Sequence, residues 1–228
     1  MSPREQFDRE LQELRTKVIE MGALVNTQLE LALQALNTLE PEIAQQVITI
    51  DQKVNETRFA IEEFCFTLVA TQQPAARDLR AIFAAMNIIV DLERAGDKAK
   101  DIADTVQHVR KGRNRPRPPE LVRMGSLVKS MLEQCMQAYA DNDLGLARQV
   151  ASQDEELVSL FSEILDKAIE DFAKAKKEKK VTVTFGILRA AQHLERIGDL
   201  AVNVAERIVY IATGNLQEMK VHLHDSVD

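Results

Sequence analysis

Four carboxylates, arranged as two pairs, form the clearest chemical signature in this chain. Glu93 and Asp97 lie four residues apart, and Glu195 and Asp199 repeat that spacing at a constant interval of 102 residues. Side chains four apart on an α-helix lie on one face, about 5–6 Å apart at Cβ, so each pair can converge on a metal ion. The spacing therefore predicts two metal sites with oxygen ligands, which suit iron, manganese or magnesium.

Like charges at this spacing repel, and the repulsion costs roughly 0.2–0.5 kcal/mol per pair. Arg94 and Arg196, or groups on neighbouring helices, are one way to offset it, and a bound cation is a more specific one. Asp101 and Asn203 continue the two polar stripes, while apolar residues occupy the opposite side of each helix. We therefore expect both acidic stripes to be exposed, away from the core.

The composition favours helices over sheets. Aromatic residues make up 4% of the chain and Trp is absent, whereas Ala, Leu, Ile, Val, Glu, Lys and Gln are abundant. Apolar residues recur with the helical period through six long segments. Together with the repeated signature, they predict an all-α fold of two tandem three-helix bundles, with six long antiparallel helices related by an internal duplication. The fifth helix is predicted to run without a break from the turn at 141–143 to about Ala175.

The predicted domain boundaries follow the breaks in this pattern. A first bundle covers 1–110, a basic, proline-rich linker covers 111–119, a second bundle covers 120–214 and a flexible tail covers 215–228. These last two boundaries rest on Gly214 as a helix C-cap and on weak periodicity after it.

Charge and cysteine content narrow the function classes. The net charge of −7 and the sequence pI near 5.3 argue against binding to nucleic acid. Cys65 and Cys135 each stand alone among apolar residues, which predicts buried free thiols and a reducing compartment. The N-terminal residues lack the apolar core of a signal peptide, and no run reaches the roughly 18 apolar residues of a membrane span. We expect a cytoplasmic protein that reaches a membrane only through protein partners.

Three motifs carry a resemblance to a known family. Residues 73–80 read Gln-Pro-Ala-Ala-Arg-Asp-Leu-Arg, and residues 92–97 and 194–199 read Leu-Glu-Arg-Ala-Gly-Asp and Leu-Glu-Arg-Ile-Gly-Asp. With the duplication, they make the chain resemble the PhoU family of bacterial phosphate-uptake regulators over residues 4–213. The resemblance implies an adaptor between the ATPase of the phosphate ABC transporter and a sensor histidine kinase. Such an adaptor represses the phosphate-starvation response and restrains uptake when phosphate is plentiful.

The resemblance also implies that both motifs hold iron or another divalent metal, in a multinuclear cluster. Carried over by position, the metal ligands are Asp51, Glu93, Asp97, Asp101, Asp154, Glu195, Asp199 and Asn203. Asp51 and Asp154 come from the second helix of each copy, where Val158 stands in the place of Asn55. That difference predicts unequal nuclearity or occupancy of the two sites.

Two other function classes stay open on the sequence. One is a carboxylate-bridged metalloenzyme, either a metal-dependent phosphatase or a di-iron oxidase. It is disfavoured because di-iron bundles use Glu-x-x-His pairs that point into the bundle, and no nucleophile with an adjacent base is visible here. The other is a helical scaffold without metal. We therefore predict no catalytic residues, and the oligomeric state stays open, a homodimer included.

Overall fold

The structure, a computed structural model, describes residues 3–112, 117–215 and 219. Its helices in chain order are α1 (Pro3–Thr38), α2 (Pro41–Gln72), α3 (Ala76–Val109), α4 (Pro119–Asp141), α5 (Leu144–Ser152), α6 (Asp154–Ala173) and α7 (Glu178–Thr213). A short 3-10 turn, Arg110–Gly112, follows α3, and the described residues contain no strand. The predicted all-α fold is confirmed. The predicted tail and residues 113–116 of the linker lie outside the described residues, apart from Asn215 and Met219 at the start of the tail.

Local sequence signals account for the helix boundaries. Pro41 opens α2, where its fixed φ and missing N–H suit the first helical turn. The Asp143 side chain accepts hydrogen bonds from two backbone N–H groups of the first turn of α5, at 2.8 and 3.0 Å. Asn142 and Gly214 end their helices in the left-handed conformation, with φ of 54° and 74°.

The prediction of an unbroken fifth helix is wrong. Gln153 separates α5 from α6, and its N–H bonds to the carbonyl of Val150, three residues back, instead of the residue four back. Asp154, Glu155 and Glu156 then form an acidic first turn of α6, which favours a new helix start through the helix dipole. The six predicted rods are all present, but the fifth is divided into two helices.

The two copies fold alike at the level of single contacts. In the first bundle, Gly96 of α3 faces Val54 of α2, and in the second, Gly198 of α7 faces Leu157 of α6. These residues match at the intervals of 102 and 103 residues that separate the two copies. The change of interval therefore falls between α6 and the signature of α7, as a one-residue difference in the connecting segment requires.

The signature helices α3 and α7 form the most extensive contact between any two helices of the fold. They run antiparallel, because Asp91 and Asp101 of α3 meet Asn203 and His193 of α7, respectively, in reversed order. Helices α1 and α4 make a second contact between the bundles.

Cys65 and Cys135 are buried free thiols, as predicted, and burial raises the pKa of each to about 12. None of the described helices is long and apolar enough to cross a bilayer.

Candidate metal centre

The first copy brings carboxylates from two helices to a single cation. The Lys100 ammonium lies 2.7 Å from Asp51 Oδ2 on α2 and 3.5 Å from Asp97 Oδ1 on α3. Its hydrogen bond to Asp51 raises the pKa of Lys100, so the lysine stays charged. Two of the predicted ligands therefore converge, but the group they hold in this structure is an ammonium.

Glu93 lies at the same site, close enough to the Asp97 carboxylate for the repulsion that the four-residue spacing predicts. Burial raises the pKa of Glu93, and the neighbouring carboxylates of Asp97 and Asp51 raise it further. Arg58 and Arg94 oppose this shift. Glu93 is half-buried and Asp51 is only 6% exposed, and Glu195 and Asp199 are half-buried too, so the expectation of exposed acidic stripes is wrong in both copies. The reason in the first copy is that α2 packs beside α3 and covers part of the stripe.

A fully buried amide completes the first-copy cluster. Gln28 of α1 donates through Nε2 to Asp51 Oδ1 at 3.2 Å, and its Oε1 atom has no hydrogen-bond partner. Gly96 leaves room for that oxygen, because a Cβ at this position would lie 2.7 Å from it. A buried amide oxygen without a donor beside three carboxylates is a donor set that suits a hard divalent cation. The first copy thus offers oxygen atoms of the kind that a divalent cation prefers, but its carboxylates are not grouped closely enough in this structure to hold one, and Lys100 pairs with Asp51.

Asp101 points elsewhere. Its carboxylate pairs with Lys98 at 2.8 Å and lies 3.6 Å from His193 Nδ1 of α7. Burial lowers the pKa of His193, and the Asp101 carboxylate opposes that shift. The structure therefore places Asp101 in the contact between α3 and α7, away from the ion pairs of Asp51. The sequence pattern alone did not indicate this pairing.

The second copy offsets its acidic pair locally. Arg196 lies between Glu195 and Asp199, with its guanidinium 3.6 Å from Glu195 Oε2 and 2.9 Å from Asp199 Oδ2. Asn203 bonds to Asp91 of α3, and Asp154 is half-buried at the start of α6. The expected arginine therefore neutralises the signature here, whereas in the first copy Lys100 does so.

The neighbours of the second signature are apolar where those of the first are polar. Met131 approaches the Cβ position of Gly198 at 3.7 Å, where Gln28 approaches Gly96 in the first copy. By the same intervals, Phe161 takes the place of Arg58, and buried Val202 takes the place of Lys100. The second copy thus lacks the amide, which makes its set of metal-ligating oxygens poorer, and it also lacks the lysine that pairs with Asp51 in the first copy.

Both signatures open onto one groove between α3 and α7. It has a volume of about 430 Å³ and is lined by Arg94, Asp97, Lys98, Arg196, Asp199, Leu200 and Asn203. Within the described residues, no three His, Cys, Asp or Glu side chains form a group that could hold a metal ion. Metal binding at the eight predicted ligands therefore stays a prediction.

Comparison with known proteins gives the same duplicated architecture. The PhoU domain matches the chain twice, over residues 18–106 and 121–208. The phosphate-specific transport system accessory protein PhoU homologue of Clostridium acetobutylicum is 32% identical over 209 residues, which are 91% of this chain and 94% of that protein. The corresponding homologue of Pseudomonas aeruginosa is 34% identical over 92% of this chain and 86% of its own.

Solved structures agree with the fold. PhoU from Pseudomonas aeruginosa superposes with a TM-score of 0.86 at 33% identity, covering 92% of this chain and 100% of that structure. The phosphate transport system regulatory protein PhoU from Streptococcus pneumoniae superposes with a TM-score of 0.83 at 32% identity, covering 92% of this chain and 99% of that structure. Paired three-helix bundles with an acidic signature on each third helix thus define a class of duplicated, all-helical proteins. The chain belongs to the PhoU family.

Proposed function

We propose that this protein regulates phosphate uptake and the phosphate-starvation response. In this proposal it is a cytoplasmic adaptor between the ATPase of the phosphate ABC transporter and a sensor histidine kinase. It represses signalling and uptake when phosphate is plentiful. The observation that carries the proposal is the pair of PhoU domains, together with relatives named as accessory proteins of the phosphate-specific transport system.

The chemistry of the signatures supports a regulatory role over a catalytic one. In both copies the acidic side chains pair with lysine or arginine, at Lys100 and at Arg196. Such pairs position side chains, whereas a general base or nucleophile needs a polarised partner at the reacting atom. The protein therefore acts in this proposal by contact with its partners, and nucleic acid is not among them because the chain is acidic.

Metal binding is the finer part of the proposal, and its main site is in the first copy. Asp51, Glu93 and Asp97 supply carboxylates and Gln28 supplies an amide oxygen. Iron or another divalent cation bound there would take over the charge that Lys100 now supplies and would tie α2 to α3. Asp154, Glu195, Asp199 and Asn203 form a weaker second site, because Arg196 already neutralises its acidic pair.

Deletion of the gene tests the regulatory role. A reporter driven by a phosphate-starvation promoter should rise by about tenfold or more in phosphate-rich medium, and the wild-type gene on a plasmid should restore repression. Phosphate uptake should also rise in the deletion strain. Unchanged repression and unchanged uptake in rich medium would remove the proposal.

A further inference from the structure

The second bundle carries an exposed apolar stripe that the proposed metal chemistry does not use. Val158, Leu165 and Ile169 of α6 are 41%, 36% and 58% exposed. Their spacing of seven and four residues keeps them within about 20° of one line along the helix. Half-buried Phe161 and Phe172 lie beside this line. We call these five residues the α6 stripe.

Helix α7 extends the apolar surface next to the lower part of the stripe. The contact between Leu157 and Gly198 sets the level of the antiparallel helices. Twelve residues further along α6, this pairing brings Ile169 level with Phe185 of α7. Phe185 and Val181 are 47% and 40% exposed, so the neighbouring helix carries exposed apolar side chains at the level of the lower stripe. Isolated exposed apolar residues are ordinary, but several aligned along one helix, with more on its packed neighbour, mark an interaction surface.

The side of α6 beyond the stripe is acidic. The helix carries seven acidic residues against one lysine, Lys167, which already pairs with Glu120 of α4. Three of the seven form ion pairs with basic residues outside the helix: Glu156 with Arg123, Glu170 with Lys174 and Asp171 with Lys180. By helical period, Glu155 and Asp166 lie about 60–80° from the stripe, on the side opposite the buried residues of α6. The surface therefore combines an apolar strip with a negatively charged flank.

We propose that the α6 stripe is the docking site for a basic amphipathic helix of a partner protein. Such a helix places its apolar residues on Leu165 and Ile169 and its Lys or Arg residues beside Glu155 and Asp166. From Val158 to Phe172 the stripe is roughly 21 Å long at 1.5 Å per residue, which matches about four turns of a partner helix. The inference deepens the proposed adaptor role and rests on it.

The charges disfavour the two other occupants of such a surface. A symmetric dimer through this stripe would bring the acidic flank with Glu155 and Asp166 against its own copy, and these like charges would repel. An anionic membrane surface would be repelled for the same reason. A basic partner helix is the occupant that the charge pattern attracts.

The first bundle lacks the upper part of this surface. Asn55, Arg58 and Glu62 stand where the second bundle has Val158, Phe161 and Leu165, and Arg58 pairs with Glu62 at 3.5 Å. The lower end is apolar in both copies, with exposed Phe66 and Phe83 at the positions of Ile169 and Phe185. The full length of the stripe is present only in the second of the two described bundles.

A matched pair of variants tests the site on the full-length protein. The probe is a fluorescein-labelled Lys/Leu amphipathic peptide of about 16 residues, and a Glu/Leu peptide of the same pattern is its control. Leu165→Glu/Ile169→Glu should weaken binding of the Lys/Leu peptide by at least about tenfold in fluorescence anisotropy. Phe59→Glu/Phe66→Glu alters two exposed residues of α2 and adds the same two charges, so it should bind like wild type.

Two further measurements keep the inference falsifiable. Leu165→Ser/Ile169→Ser leaves the net charge unchanged and should also lose affinity, and circular dichroism should show native helicity for every variant. Equal affinity of the α2 and α6 variants, or equal binding of both peptides by wild type, overturns the docking site.

Complementation in cells separates this inference from the proposed function. Normal repression by Leu165→Glu/Ile169→Glu in the deletion strain, with wild-type protein levels, overturns the docking site and leaves the regulatory role standing. Unchanged repression in the deletion strain itself removes the regulatory role, and the peptide measurements still decide the docking site.

Discussion

Matching positions of the two bundles carry the same acidic signature but different neighbours. Gln28, Arg58 and Lys100 surround the first signature, and Met131, Phe161 and Val202 take their places around the second. The main-chain framework is shared, because both signature glycines face a residue at the same position of the preceding long helix. The duplicated fold therefore keeps the geometry while the surrounding side chains give each copy its own chemistry.

The difference has a physical cost and a physical gain. A buried amide such as Gln28 destabilises the fold unless its polar atoms find partners, and here only Nε2 has them. The second copy has Met131 in the place of Gln28 and so buries no amide there. It instead exposes the apolar side chains of the α6 stripe. In our two proposals, the first copy uses its buried polar atoms for a cation, and the second uses its exposed apolar atoms for a protein partner.

Removing carboxylates from one copy at a time tests the difference in metal binding. Asp51→Asn/Asp97→Asn should weaken Mn²⁺ binding by about 100-fold, or about 2.7 kcal/mol, because two of three carboxylates lose their charge. The matched change Asp154→Asn/Asp199→Asn should weaken the strongest binding step by less than about threefold. Isothermal titration calorimetry of chelator-treated protein measures both. Equal losses in the two variants would contradict the assignment of the main site to the first copy.

Lys100→Met provides the opposite control for the same site. Removal of the resident ammonium should tighten Mn²⁺ binding by about tenfold, because the metal no longer competes with a charged partner of Asp51. Lys98→Met is the matched variant, since Lys98 pairs with Asp101 instead. Comparable tightening by both lysine variants would indicate a general charge effect without local competition.

Substitution of Gly96 and Gly198 by alanine compares how tightly the helices pack at the two signatures. At Gly198 an added Cβ would overlap Cδ2 of fully buried Leu157, so Gly198→Ala should lower the free energy of unfolding by about 1 kcal/mol after its gain in helix propensity. Gly96→Ala should have a similar cost, since its Cβ would press on Gln28. Urea unfolding measures the stability of both variants.

Metal binding distinguishes these two alanine variants. Gly96→Ala displaces the amide of Gln28 and should weaken Mn²⁺ binding, whereas Gly198→Ala should leave it unchanged. A loss of affinity in Gly198→Ala equal to that in Gly96→Ala would contradict a role for the Gln28 oxygen.

The sequence predicts the fold well because its signals are periodic and repeated. Helical spacing of apolar residues and the two intervals of about 100 residues determine six rods and their pairing. The apolar period does not indicate the break at Gln153, although the acidic run 154–156 that follows it is a signal for a helix start.

The site could be predicted only in part, because its partners come from other helices. Spacing along α3 identifies Glu93 and Asp97, but Gln28 lies in the apolar seam of α1, where the sequence reads as core. The pairing of Asp101 with His193 depends on how α3 crosses α7, which no local period encodes. Lys100 follows Asp97 by three residues, a helical spacing that favours an ion pair and could have indicated it.

The smallest expected effect concerns Glu93, whose charged form is disfavoured by burial and by the neighbouring Asp97 carboxylate. Without metal, Glu93→Gln should raise the free energy of unfolding at pH 7 by about 0.5 kcal/mol, the size of one like-charge pair. Because the folded protein raises the pKa of Glu93 above its ordinary value of 4.5, this carboxyl favours folding below that pH. That contribution is lost as the pH rises through the folded-state pKa.

The advantage of Glu93→Gln should therefore be present at pH 7 and shrink towards pH 4. Glu195→Gln is the matched variant and should bring no gain at either pH, because Arg196 lies 3.6 Å from Glu195 and already offsets its charge. Urea unfolding in the presence of a chelator at the two pH values measures both variants. A gain at pH 7 as large in Glu195→Gln as in Glu93→Gln would mean that Arg196 does not neutralise the second signature. Both acidic pairs would then repel without local neutralisation, and charge compensation would not account for the polar neighbours that only the first copy has.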